Sequence, residues 1–274
     1  MNKNLFARIF RKLIFFLRTP RLSILLFQIR IIERYTGIDL FFISPRRLII
    51  YFFELILLRS LKKNNFERYG NYILDKNNIP KNPVVYSGGV GKNISFDLNF
   101  FNKHGGKIRL FDPTESSIQH MNKIKLPKNF KFYPYALFYK NKKIKLYQDP
   151  TNRIKSASVT NFFSFDKNSF FIANAYNLQT LTNKFGDKSI DILKLDIEGA
   201  AENLIKNYLD YIDKKNYPKQ IISAFEVPLN YIEFIKFLKK IYSLIKILEK
   251  NYDLYNIRDR SRGVEMEVLA IKKK

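Results

Sequence analysis

From residue 84 onward the apolar positions alternate between short β-branched runs and longer stretches at helical spacing. Val84, Val85 and Tyr86 form a strand that stops at Gly88, Gly89 and Gly91, and a helix follows from about Asn93 to Lys103, with Ile94, Phe96, Leu98 and Phe101 among polar residues. Lys107–Phe111 predicts a second strand ending on Asp112, Ser116–Lys125 a helix, and Lys131–Tyr135 a third strand. Ala136–Asp149 predicts a hairpin around Asn141-Lys142-Lys143. Residues 150–176 read as one long irregular loop, of the kind that serves as a lid or substrate-binding element. The alternation then resumes with a helix Asn177–Phe185 closed by Gly186, a strand Ile190–Leu195 ending in Asp196, and a helix Glu198–Leu209. A strand Gln220–Phe225 ends in Glu226, and a long helix spans about Asn230 to Lys250. Two last strands, Asp253–Ile257 and Glu265–Ile271, flank a turn at Arg260–Gly263. Strands alternating with helices, with a closing hairpin, predict a mostly parallel sheet covered on both faces.

The first sixty residues follow another pattern. Leu5, Phe6, Ile9, Phe10, Leu13, Phe16 and Leu17 share one side of a helix; Arg8, Arg11, Lys12 and Arg18 share the other. Further helical stretches run from Leu22 to about Arg34 and from Arg47 to about Leu61. Seven basic residues precede the first acid, Glu33. No apolar run reaches the ~18 residues that span a bilayer, and the short apolar core Leu13–Leu17 fits a secretory signal poorly. Residues 1–61 are therefore a basic amphipathic extension. It either lies on an anionic membrane face or packs on the domain or on a second copy of it. Lys62–Pro83, rich in Asn and Pro, reads as a connection carrying at most one short helix, and 84–274 as the main domain.

Composition narrows the chemistry. The 274 residues contain no cysteine, which removes disulfides, thiolate metal sites and cysteine nucleophiles and suits a reducing cytoplasm. The net charge of +25 favours anionic partners. Lys, Asn, Ile and Phe share A/T-rich codons, however, so base composition accounts for much of the lysine.

In open α/β sheets ligands sit beyond the carboxyl ends of the strands. Those ends carry the glycine turn (Ser87, Gly88, Gly89, Gly91), Asp112, the pair Asp196 and Glu198, and Glu226. An acid about twenty residues after a glycine turn is placed to accept ribose hydroxyls. The dinucleotide fingerprint fails, because Ile94 stands where its third glycine belongs, and the Gly-Lys-Ser/Thr of a phosphate loop is missing. S-adenosylmethionine, with a ribose but no pyrophosphate, fits this set better.

Three stretches carry a resemblance: Tyr86–Asp97 (YSGGVGKNISFD), Leu110–Thr114 (LFDPT) and Ile190–Ala200 (IDILKLDIEGA). Together they look like the FkbM-type S-adenosylmethionine-dependent methyltransferases over about residues 82–272, most specifically at Lys194–Gly199. The resemblance implies a Rossmann-like class I fold with an antiparallel last strand, and methyl transfer usually to oxygen, often on sugars or secondary metabolites. Two positions depart from it. Ala201 stands where the family commonly has Glu, and Val227 and Pro228 follow Glu226 where a His is frequent.

Transfer to a hydroxyl needs alignment and a proton acceptor. Neither His104 nor His120 is well placed, so a carboxylate is expected. Asp196 or Glu198 orients the acceptor or takes its proton, Glu226 is the next choice, and Lys194 shares a strand face with Asp196 and tunes its charge. Ser87, Gly88, Gly89, Gly91, Asp112 and Asp196 are expected around the cofactor, with no metal. The expected acceptor is a small molecule or glycan. Nucleic acid is disfavoured, because Asp196-Ile-Glu-Gly occupies the place of the base-stacking motif. An RNA-directed methyltransferase and a membrane-bound, non-catalytic scaffold of the same fold are the remaining alternatives.

Overall fold

The computed structural model describes residues 45–61, 65–148, 157–159, 168–228, 230–257 and 265–273. The helices expected over Leu5–Leu17 and Leu22–Arg34, and the turn at Arg260–Gly263, lie outside the described residues. Helix α1 (Pro45–Leu57) is followed by β1 (Phe66–Tyr69) and β2 (Tyr72–Asp75). The chain continues through β3 (Val84–Gly88), α2 (Ser95–His104), β4 (Lys107–Phe111), α3 (Glu115–Met121) and β5 (Phe130–Tyr133). Next come β6 (Ala136–Leu137), β7 (Lys142–Gln148), β8 (Ala157–Ser158) and β9 (Phe170–Tyr176). The last part is α4 (Leu178–Phe185), β10 (Ile192–Leu195), α5 (Ala201–Tyr211), β11 (Gln220–Glu226), α6 (Tyr231–Leu248), β12 (Tyr252–Asn256) and β13 (Glu265–Lys272).

Seven strands form the central sheet in the order β12-β13-β11-β10-β3-β4-β5. The pairs β11–β10, β10–β3, β3–β4 and β4–β5 are parallel, and β13 runs antiparallel between β11 and β12. This is the Rossmann-like class I arrangement that the alternation and the resemblance predict. Strand order reverses between β3 and β10, so the ligand crevice opens at their carboxyl ends.

The buried strands read as near-continuous apolar runs because helices cover both faces. One face packs Tyr86, Leu193, Leu195 and Phe225 against α1, α4, α5 and α6. The other packs Val85, Ile108, Leu110 and Ile192 against α2, α3 and the β1–β2 hairpin. Local signals set the helix limits. Asn177 caps α4 by accepting from the Thr180 N–H, Gly186 ends it in the left-handed conformation, and Asn230 caps α6.

Two expectations are corrected. Lys62–Pro83 is more than a connection: it carries the β1–β2 hairpin, whose Tyr69, Tyr72 and Leu74 are buried in the core. Ala136–Asp149 is not a hairpin either. β9 enters between its two halves, pairing parallel to β6 and antiparallel to β7, in a second sheet of order β6-β9-β7-β8. β9 alternates inward Ala173 and Ala175 with outward residues, so it offers β7 a six-residue ladder that its neighbour in sequence, the two-residue β6, could not. Within the stretch read as one loop, Ala157–Ser158 and Phe170–Tyr176 are thus strands.

The described part of the N-terminal extension packs on the domain. Ile49, Ile50 and Phe53 of α1 are buried against α6, and Phe53 meets Tyr242 edge-on at 6.5 Å. Beyond α1, Arg59 donates its N–H to the Leu254 carbonyl and accepts from the Asn256 N–H, which covers the exposed edge of β12. No helix among the described residues is long and apolar enough to cross a membrane. Phe53→Ala should therefore cost about 3–5 kcal/mol in urea unfolding. A loss below about 0.5 kcal/mol, ordinary for surface substitutions, would mean that α1 is not part of the folded unit.

Candidate active site

The glycine turn is held between two strand ends. Gly89 and Gly91 have φ of 67° and 56°, a region that L side chains rarely adopt. A Cβ on Gly89 would lie 1.8 Å from the Asp196 carbonyl oxygen, so the turn is pressed against the end of β10. On its other side the Gly89 N–H donates to the Phe111 carbonyl at 2.9 Å, and the Gly91 N–H donates to Asp112 Oδ2 at 2.9 Å. Asp112 Oδ1 accepts from the Thr114 N–H at 2.9 Å and from Thr114 Oγ1 at 2.5 Å. Asp112 is thereby fixed, only 6% exposed, and turned into the crevice rather than toward bulk water. A carboxylate has about four acceptor sites, so these bonds leave capacity for a ligand hydroxyl.

A cavity of about 290 Å³ opens there, near the lower end of the ~300–1,000 Å³ usual for small-molecule sites. Gly89, Gly91 and Asp112 line one rim, and Asp196 and Glu198 the other. The second sheet supplies an apolar wall from Leu137, Ile144, Leu146 and Val159. That sheet is tied to the site: the Val159 N–H and the Ser158 hydroxyl both donate to the Glu198 carbonyl at 3.3 Å.

Ser87, Gly88 and Lys194 stand behind the wall rather than on it. Ser87 is fully buried beside Asp97, and Gly88 backs onto Leu137. The Lys194 ammonium, 4% exposed, donates to the carbonyls of Gly88 at 3.3 Å and Gly89 at 3.2 Å and lies 3.9 Å from Asp196 Oδ2. Burial pushes the Asp97 carboxyl up to about 6, while Lys194 and Ser87 act in the opposite direction. Tyr72 was missed by the sequence reading; its hydroxyl donates to Asp196 Oδ2 at 2.5 Å. The sole sequence signal for it is a Gly70-Asn71 turn between Phe66–Tyr69 and Tyr72–Asp75.

Glu226, at the end of β11, lies behind Glu198. Burial raises its pKa most; the hydrogen-bonded Glu198 and the nearby Glu265 and Asp196 raise it further. The pair therefore holds a proton at neutral pH, because two carboxylates in contact do not both ionise in a buried place. Among the described residues no group of three His, Asp or Glu is arranged to hold a metal ion.

The Glu226 proton has a consequence for stability. Below the ordinary glutamate value of 4.5 the folded and unfolded chains both hold this proton. Above it the unfolded chain loses the proton that the folded chain keeps, so stability falls as pH rises toward and past neutrality. Glu226→Gln, neutral at every pH, should melt close to the parent near pH 4.5 and higher than it by ~2 °C or more at pH 8. Equal melting of the two proteins at pH 8 would refute the protonated pair.

Residues 86–253 match the family described as "Methyltransferase FkbM domain". No curated protein sequence matches the chain. Among solved structures, the plantazolicin methyltransferase BpumL in complex with SAH is similar over 70% of this chain and 76% of its own, at 10% identity and a TM-score of 0.35. A putative caffeoyl-CoA O-methyltransferase from Staphylococcus aureus is similar over 88% and 98%, at 9% identity and a TM-score of 0.39. Precorrin-6y C5,15-methyltransferase from Geobacter metallireducens GS-15 is similar over 79% and 99%, at 10% identity and a TM-score of 0.37.

Proposed function

As a member of the FkbM methyltransferase family this chain is an S-adenosylmethionine-dependent methyltransferase, and we propose that it methylates a hydroxyl of a sugar or glycan. One observation carries the reading. In a chain of net charge +25, every charged side chain lining the described cavity is a carboxylate: Asp112, Asp196 and Glu198. Such a lining suits a cationic donor and an uncharged acceptor. It repels phosphate, which argues against a nucleic-acid substrate in the same crevice.

The residues present fit the cofactor. Asp112 would accept from the ribose hydroxyls, and Gly91, with open space where a side chain would stand, would admit the ligand close to the backbone. Leu137 and Ile197 would pack on its apolar ring, and Asp196 would face its positive end. When bound, S-adenosylmethionine supplies an electrophilic methyl group on a sulfonium centre. The chain's own task is alignment, which can contribute roughly 7–11 kcal/mol at best, and management of one proton.

Asp196 and Glu198 orient the acceptor hydroxyl, and one of them takes its proton. Glu226 is a weaker choice for the base, because it already carries the proton of its pair and donates it toward Glu198. The Lys194 ammonium lies 3.9 Å from Asp196 Oδ2, behind the cavity wall and out of the acceptor's reach.

The test separates binding from turnover. Asp112→Ala should weaken S-adenosylmethionine binding in calorimetry about tenfold or more. Asp196→Ala and Glu198→Ala should together account for a loss of about 10²–10⁴ in turnover, with mass spectrometry of cell-surface glycans showing the disappearance of one methylene. Full turnover in both of the latter variants would remove these carboxylates from the chemistry. Unchanged glycans would remove the acceptor class.

A further inference from the structure

We propose that Tyr72 is a positioning residue of the active site. It holds Asp196 Oδ2 so that the other carboxylate oxygen, Oδ1, is presented to the cavity. This rests on the reading of Asp196 as a ligand-facing group. It extends the working unit beyond the matched segment, which starts at residue 86, to a hairpin that precedes it in the chain.

The hairpin is built as a rigid support. Its tip is wedged against the start of α2: a Cβ on Gly70, where φ is 53°, would lie 2.6 Å from Ser95 Oγ and 2.7 Å from the Phe96 nitrogen. Its far end is fastened to the central sheet by Gln220, whose side-chain oxygen accepts from the Asp75 N–H at 2.8 Å and whose amide donates to the Asp75 carbonyl at 2.9 Å. Between these anchors Tyr72 is 6% exposed, edge-on to Phe96 at 5.5 Å, with the Lys194 ammonium 5.1 Å from its ring centre.

Packing alone would be satisfied by phenylalanine. The hydroxyl adds a 2.5 Å bond to Asp196 Oδ2, the same oxygen that lies 3.9 Å from Lys194. Both interactions converge on one oxygen of a carboxylate that is otherwise 43% exposed. An exposed aspartate rotates freely between rotamers; a donor fixed at one oxygen removes that freedom and sets the direction of the other. Donors to one carboxylate oxygen are worth most when they stand on elements that cannot yield, as here.

The experiment is a double-mutant cycle on the full chain: Tyr72→Phe, Asp196→Asn and both together, read by urea unfolding without ligand and by calorimetry with S-adenosylmethionine. Tyr72→Phe should raise the unfolding equilibrium constant about tenfold in the parent and much less in the Asp196→Asn background. It should likewise weaken S-adenosylmethionine binding about fivefold to tenfold in the parent and leave the Asp196→Asn protein unchanged. Additive effects in urea, or a Tyr72→Phe protein that binds as tightly as the parent, would overturn the proposal. A parent chain that binds no S-adenosylmethionine overturns the cofactor reading instead, and the urea cycle then decides on its own whether the hydroxyl holds Asp196.

Discussion

A buried ammonium group underlies the site. Lys194 stands in the middle of the central sheet, paired in register with Ser87, in a position that would otherwise be apolar. A charge there is tolerable only if its donors are satisfied and a counter-charge is near. The carbonyls of Gly88 and Gly89 take its hydrogen bonds, Asp97 and Asp196 supply the negative charge, and the Tyr72 ring covers it. Each partner belongs to a different element: the glycine turn, α2, the end of β10 and the hairpin. One ammonium therefore fixes the relative placement of four pieces of chain, and the crevice between β3 and β10 is the space they leave.

The contrast between surface and cavity follows from where lysine is placed. Lys143 and Lys145 of β7 point outward, while the inward Ile144 and Leu146 of the same strand line the cavity. Strand alternation thus separates a basic exterior from an apolar cavity wall within one element. The net charge of the chain describes its long-range field. The carboxylates describe what the crevice itself attracts, and at a few ångströms the local term dominates.

Much of the fold was legible because its signals are local. β4 has the limits that its apolar run predicts, and Asn177, Gly186 and Asn230 mark helix ends through bonds that reach only two to four residues. The glycine turn, Asp112, Asp196 and Glu198 were legible as a set because the topology places every strand end on one side. What sequence could not supply was pairing at a distance. β6 and β7 look like a hairpin until β9, about thirty residues on, offers both a better ladder. The β1–β2 hairpin was hidden by the Asn- and Pro-rich residues around it; its burial depends on a groove that only the assembled sheet and α2 provide. The surroundings of Lys194 and Glu226 were out of reach for the same reason. Distance along the strand says that Lys194 and Asp196 share a face, but which of them reaches the crevice is decided by the turn of β3 beside them.

The two ends of the crevice are built differently, and this bears on how such a site diversifies. At the Asp112 end the wall is backbone: Gly89 and Gly91 are tied by N–H bonds to β4, and a side chain at Gly89 would collide with β10. Little can change there without moving the central sheet. At the other end the wall is made of side chains on β7 and around β8, held to the site through the Glu198 carbonyl. Exchanging Ile144, Leu146 or Val159 alters the shape of that wall while leaving the glycine turn and Asp112 as they are. On the reading proposed above, the donor is gripped by the backbone geometry of the sheet's own crossover, and the choice of acceptor is written in a second sheet that the same carboxylate loop holds in place.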